Sequence, residues 1–282
     1  MQRSPRAAGL PVANWTWKAV RGWIQQRMGR RLSRSSCLHY LHRLGFVHKR
    51  PKKRLLKADP ARRATFVREY ALLQAAAATS GARIFFADEA HFYADADLRG
   101  QWVLRGTPAL VDSTSPRWGE KVSYYSAVCL ETGAVEAMEL EGNSNAATSV
   151  QFLQQLRAHH PEPLIVIWDN GPAHGGEALR EYLRTPELRL RLVRLPAYSP
   201  DYNADEAIWG WARAEATANT CFGTKTAVRA AVDAFFRSLA QRTTEVQRRC
   251  RTALQAQAAA LHDVVAAILE DPQHVDSTLA LV

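Results

Sequence analysis

The sequence is short of the features that mark a secreted, membrane-bound or zinc-stapled chain. Its 282 residues hold only four cysteines, Cys37, Cys129, Cys221 and Cys250, far apart and with no CxxC pair. That spacing argues against a disulfide framework and a structural zinc, and points to a reduced, cytoplasmic protein. No apolar run approaches the roughly 20 residues of a membrane span. The opening MQRSPRAAGLPVANW lacks the apolar stretch of a signal peptide. Internal repeats are absent. Acidic residues are nearly missing from one end: residues 1–60 carry 15 Lys/Arg against one acid, Asp59, a net +14. The other 222 residues carry 22 Lys/Arg against 26 Asp/Glu, so the whole excess of +10 comes from the N-terminal fifth. A basic block in front of a mildly acidic body suggests a polyanion-binding module joined to something else.

The basic block has helical periodicity, which a solvated arm would not need. WTWKAVRGWIQQRMG sets Trp15, Ala19 and Trp23 at helical spacing, and Gly29 breaks the pattern. LSRSSCLHYLHRLGF follows, with Ser33 as N-cap, a stripe of Leu38, Leu41 and Leu44, and Gly45 as the stop. Two short helices joined by a turn read as a helix-turn-helix whose second helix enters a DNA groove. Arg34, Ser35, His39 and Arg43 are the candidates for its groove-facing side. Lys49, Arg50, Lys52, Lys53 and Arg54, in HKRPKKRLLK, suit contact with phosphates.

From Gly81 the texture becomes that of an α/β domain: a mixed sheet covered by helices. RIFFADEAHF opens with a buried-strand run, Ile84 to Ala87, and ends on Asp88 and Glu89. QWVLRG, KVSYYSAVCL and AVEAMEL read as further strands, and Ser144–His160 as a helix. LIVIWDN is a second apolar strand, ending on Asp169 and stopped by Gly171-Pro172; LRLVRLP is the last strand. The segment from Thr224 to about Glu270 is Ala-rich and helical. The expected domains are a helix-turn-helix region at 1–58, a linker helix at 59–80, a catalytic domain at 81–240 and a helical tail at 241–282.

An apolar strand cannot hold an unpaired carboxylate inside, so its terminal acid must project at the sheet edge. That is where open α/β sheets present ligand groups. Either Asp alone is also a natural cap for the element that follows. LPAYSPDYNADEAIWGW adds a third acid, Glu206, at the mouth of a tryptophan-rich helix. Three carboxylates from separate segments are hard oxygen donors for Mg²⁺ or Mn²⁺.

FADEAHF, IWDNGPAH and LPAYSPDYNADEAIW together resemble the three acidic blocks of DDE transposases of the mariner-like superfamily, in particular its bacterial insertion sequence six-thirty branch. The third block is the most specific. Tyr198, Ser199, Pro200, Asp201, Asn203, Glu206 and Trp209 fall in register with the family pattern, and Glu206 follows Asp169 by 37 positions. GQWVLRGTPALV resembles the family's tryptophan-containing strand, and RLGFVHKRP the end of its DNA-binding region.

The resemblance implies an RNase H-like fold in which Asp88, Asp169 and Glu206 are the catalytic, metal-holding acids, with two Mg²⁺ or Mn²⁺ ions. It implies a nucleoid-associated enzyme that binds double-stranded DNA, both the element's inverted-repeat ends and its target. It would hydrolyse the end and join the freed 3′-hydroxyl to target DNA at TA, acting as a homodimer without a membrane partner. A transposase-derived DNA-binding protein and a nuclease that joins nothing are the alternatives. Glu89 and Asp205 are the competing acids; a neighbour on a helix points about 100° away, which sets Asp205 apart from Glu206. Asp201 is expected to cap the helix, and Asn170 and His174 to line the site without binding metal. Two departures stand out. Ala204 and Asp205 occupy the family's proline and isoleucine positions. Family members also carry a second helix-turn-helix ahead of this one, so the DNA-binding region is expected to be N-terminally shortened.

Overall fold

The computed structural model describes residues 3–49, 55–114, 120–261 and 265. The chain divides into two compact units, Met1–Arg54 and Leu55–Val282. In the first, helices α1 (Trp17–Met28) and α2 (Arg34–Arg43) start on the side chains of Thr16 and Ser33, which accept from backbone N–H groups three residues on. Each satisfies a donor that the first helical turn leaves unpaired. Gly29, at φ 69°, closes α1 in a left-handed conformation that costs glycine little. Two details differ from the sequence expectation. Trp15 stands before α1, and its indole N–H donates to the Arg3 carbonyl instead of joining a helical stripe. In α2 it is Cys37 that is buried, while Leu44 lies beyond the helix and is exposed.

The larger unit is built on a five-stranded mixed sheet in the order β3-β2-β1-β4-β5. Its strands are β1 (Arg83–Tyr93), β2 (Lys121–Cys129), β3 (Val135–Leu140), β4 (Leu164–Trp168) and β5 (Leu190–Arg194). The first three pair antiparallel, and β1/β4 and β4/β5 pair parallel. Both faces are covered, so the central strands read as continuous apolar runs. Alternate residues sort between two cores. Ile84, Phe86, Ile165 and Ile167 face helices α3 (Pro60–Ser80), α6 (Glu206–Ala212) and α7 (Lys225–Leu239), with α8 (Thr243–Arg249) and α9 (Ala253–Ala259) closing that side. Phe85, Ala87, Val166 and Trp168 face α4 (Ala146–His159) and α5 (Glu177–Leu183).

The helices expected at 59–80 and in the tail are present and packed, whereas one expected strand is absent. Residues 59–80, read as a linker helix, form α3, which starts on the Asp59 side chain and buries Phe66, Val67, Tyr70 and Leu73 in the first core. The described part of the expected tail, in α8 and α9, buries Val246, Leu254 and Ala258 in the same core. QWVLRG, expected as a strand, forms none: Trp102 is fully exposed and Leu104 nearly so. Among the described residues its apolar side chains stay exposed, and beyond Phe86, along Ala87–Tyr93, β1 is paired by β2 alone. Among the described residues no helix is long and apolar enough to cross a membrane.

Candidate active site

The site forms where β1 outruns β4. Parallel pairing of the two strands ends at Phe86 with Ile167, and Asp88 and Asp169 each stand two residues further on. Equal offsets from one paired position bring both acids to the same level and face of the sheet edge. Asp88 is therefore not at its strand's end, as its apolar run suggested. It lies mid-strand, still paired with Ser126 of β2, at the point where the cover of β4 stops. Beyond Trp168 the chain turns sharply. The Gly171 N–H donates to Asp169 Oδ1 at 2.8 Å, and Pro172 begins a short 3₁₀ turn. A Cβ on Gly171 would sit 3.0 Å from that same oxygen and 3.1 Å from the His174 ring, so a larger residue there would press on both side chains.

Glu206 arrives from the loop after β5. This loop places Tyr198 in left-handed backbone at φ 58°, forms a 3₁₀ turn at Pro200–Tyr202 and enters α6. Asp88, Asp169 and Glu206 line one cleft of about 420 Å³, together with Asn170, Gly171, Leu195–Pro200 and Asn203. Burial and the charges of Glu206, Glu89 and Asp169 push the Asp88 carboxyl up to about 8. Glu206 is also raised, by burial and then by Asp169, against the opposing pull of Arg213. Arg213 stands two helical turns after Glu206, on the same helix face.

Nearby side chains hold this edge together. Asn170 Nδ2 donates to the Leu195 carbonyl, tying the loop after β4 to the end of β5. Arg194 is spent on the carbonyls of Asp169 and His174. Glu89 points to the other face of the sheet, where its Oε2 lies 2.8 Å from Nε2 of fully buried His174. His174 thus stands behind the cleft, 3.4 Å from Asp169 Oδ1, instead of lining it. Asp201 does not cap α6. It accepts two hydrogen bonds from Arg63 of α3, at 2.9 and 2.7 Å, because the intervening 3₁₀ turn carries it away from the helix start. Asp205 takes the cap position without capping through its side chain, and is completely buried. Of these features, Arg194 at a strand end and Arg213 seven residues after Glu206 carried a readable signal that the acids eclipsed.

The donor set suits a hard divalent cation, which would relieve the repulsion among these carboxylates. Among the described residues no three His, Cys, Asp or Glu side chains close on one point as they stand. The fit is one of donor type and shared cleft. In the smaller unit, Arg34, Ser35, His39 and Arg43 are all exposed on α2, as is Lys49 after it. Arg50, Lys52, Lys53 and Arg54 lie outside the described residues.

Residues 83–229 match the family described as DDE superfamily endonuclease, and residues 11–70 the one described as winged helix-turn helix. Among solved structures, the chain is similar to Mos1 transposase in a paired-end complex with the left transposon end. Identity there is 19%, over 88% of this chain and 80% of that one, with a TM-score of 0.55. It is also similar to Mos1 mariner paired-end complexes with Mn (19%, 87% and 75%, TM-score 0.57) and with Mg (18%, 90% and 80%, TM-score 0.58). At such identities the likeness is one of fold, here RNase H-like with a helix-turn-helix ahead of it. No curated protein matches.

Proposed function

The chain belongs to the DDE superfamily endonucleases, and we propose that it is the transposase of an insertion sequence. In this reading the helix-turn-helix region binds the element's inverted-repeat ends. The larger unit hydrolyses the end and transfers the freed 3′-hydroxyl to target DNA at TA. The observation that carries the reading is the convergence of Asp88, Asp169 and Glu206, from three separate segments, on one cleft at the sheet edge. The third acidic block, Leu195–Trp209, supports assigning the chain to the insertion sequence six-thirty branch.

Asp88, Asp169 and Glu206 are the residues we assign to hold Mg²⁺ or Mn²⁺, as two ions. When bound, such ions activate the attacking oxygen and stabilise the leaving one. The chain's own part is placement. Asp88 sits on a strand still paired by β2, so its position is rigid. The Gly171 N–H orients Asp169, and Arg194 anchors the turn behind it. Arg213 offsets the charge of Glu206 from within the same helix face. Solved complexes of similar fold hold Mos1 transposase with transposon ends, and with Mn or Mg. They support the same substrate and ion class here; in this reading the chain acts as a homodimer that pairs two ends, in the cytoplasm at the nucleoid.

The test offers the full chain an inverted-repeat duplex and a TA-containing plasmid, with and without Mg²⁺ or Mn²⁺. The expected result is ion-dependent cutting and joined product. Asp88→Asn, Asp169→Asn and Glu206→Gln should each lower the rate by roughly a thousandfold or more while DNA binding persists. Cutting without joining would leave a nuclease. DNA binding without cutting would leave a binding protein.

A further inference from the structure

Asp205 is completely buried, and its Oδ1 finds no hydrogen-bond partner among the described residues. Burying a carboxyl this way is costly, and an apolar side chain of similar volume would avoid the cost. What the carboxyl supplies is direction. Its Oδ2 accepts from Ser126 Oγ at 2.5 Å, and Ser126 is the residue paired with Asp88 across β1 and β2.

A second tie lies two residues earlier. Buried Asn203 donates through Nδ2 to the carbonyl of Ala87, the residue before Asp88, at 3.0 Å. The same side chain accepts the Asp205 N–H through Oδ1 at 3.1 Å. The chain entering α6 is therefore fastened at two points, both immediate neighbours of Asp88. Successive helical residues point about 100° apart, so with Asp205 turned into the core, Glu206 is turned toward the cleft it lines.

We infer that Asn203, Asp205 and Ser126 are positioning residues, a buried bracket that sets Glu206 against Asp88. The inference rests on the reading of Asp88 and Glu206 as metal-holding acids. Apolar packing alone would keep α6 on the sheet but would tolerate small slides and rotations of the helix. Two directed hydrogen bonds to opposite sides of Asp88 allow one arrangement. A misplacement of about 1 Å can cost roughly a hundredfold in rate, so the bracket acts on chemistry more than on DNA affinity.

The experiment compares the full chain with Ser126→Ala, Asp205→Ala and Asp205→Asn. Mn²⁺ binding is measured by calorimetry without DNA, alongside single-turnover cleavage over a range of DNA concentrations. Ser126→Ala and Asp205→Ala should weaken Mn²⁺ binding about tenfold and slow cleavage up to roughly a hundredfold, at an unchanged half-saturating DNA concentration. Asp205→Asn keeps an acceptor for Ser126 and should restore most of what Asp205→Ala loses. If Asp205→Ala does not fold, Ser126→Ala decides, because it removes a single oxygen. Mn²⁺ affinity and rate within about twofold of the parent in Ser126→Ala, or an Asp205→Asn no better than Asp205→Ala, would overturn the bracket. A parent that neither binds Mn²⁺ nor cuts DNA would overturn the catalytic assignment, and the bracket with it. A parent that does both beside variants that match it overturns the bracket alone.

Discussion

Glu89 and His174 meet behind the cleft, with His174 Nε2 2.8 Å from Glu89 Oε2. The imidazole is fully buried, stacks on Trp168 at 4.0 Å between ring centres, and has Nδ1 3.3 Å from Ser149 Oγ. Removing it would leave a cavity under Trp168 and a half-buried carboxylate without its partner. His174→Ala should therefore destabilise the chain by about 2–4 kcal/mol. Urea unfolding at neutral pH measures this. A loss below about 0.5 kcal/mol, the usual range for surface changes, would show that the contact is not structural.

Asp88 predicts a pH dependence of the metal-free protein. Its carboxyl is pushed up to about 8, first by burial and then by Glu206, Glu89 and Asp169. An acid whose pKa is higher folded than unfolded keeps its proton longer in the folded state. The folded state then binds more protons than the unfolded one, so stability falls as pH rises from about 4 toward about 8. With a chelator present, Asp88→Asn should match the parent near pH 4 and unfold at a higher temperature near pH 8. Parallel loss of stability in both proteins across that window would remove Asp88 as its source.

Much of this was legible because buried strands and helix caps are local signals. Ile84–Ala87 and Leu164–Trp168 could be read as apolar runs, and Ser33 as a cap, from a few neighbouring residues. What a run cannot tell is where its partner stops. Asp88 looked like a strand end because the apolar residues stop there, yet β2 continues the pairing to Tyr93. Gln101–Gly106 had the composition of a strand, yet its apolar side chains stay exposed. Asp201 and Asp205 could not be assigned from position alone, because their partners, Arg63 and Ser126, lie 138 and 79 residues away.

Arg63 and Asp201 tie α3 to the loop that delivers Glu206, and Arg63 also lies 3.8 Å over the Tyr202 ring. The guanidinium hydrogen bond holds the Asp201 carboxyl below its ordinary value. A depressed folded pKa gives stability that is present above the unfolded pKa and is lost as pH falls through the folded one. Asp201 is 57% exposed, so solvent screening limits the pair to about 1 kcal/mol or less. Asp201→Asn should lower stability by no more than that at neutral pH, and the difference should vanish in acid. Arg63→Ala should cost more, since it also removes the contact with Tyr202. Equal losses from the two, in thermal unfolding at pH 7, would leave that contact without weight.

The last prediction concerns how DNA is read. On α2, Arg34, Ser35, His39 and Arg43 are exposed, with Tyr40 and His42, while Cys37 faces inward, so one side of the helix is free to enter a groove. Base contacts discriminate between sequences, whereas phosphate contacts hold any duplex and release counterions. Arg34→Ala and Arg43→Ala should therefore reduce the preference for the element's end over an unrelated duplex, by about 1–3 kcal/mol per lost base contact. Lys49→Ala should weaken both duplexes alike and flatten the dependence of log affinity on log salt by roughly one charge. The measurement is a competition between the two duplexes at several salt concentrations. An equal, sequence-blind loss from Arg34, Arg43 and Lys49 would move base reading off α2, to another part of the helix-turn-helix region.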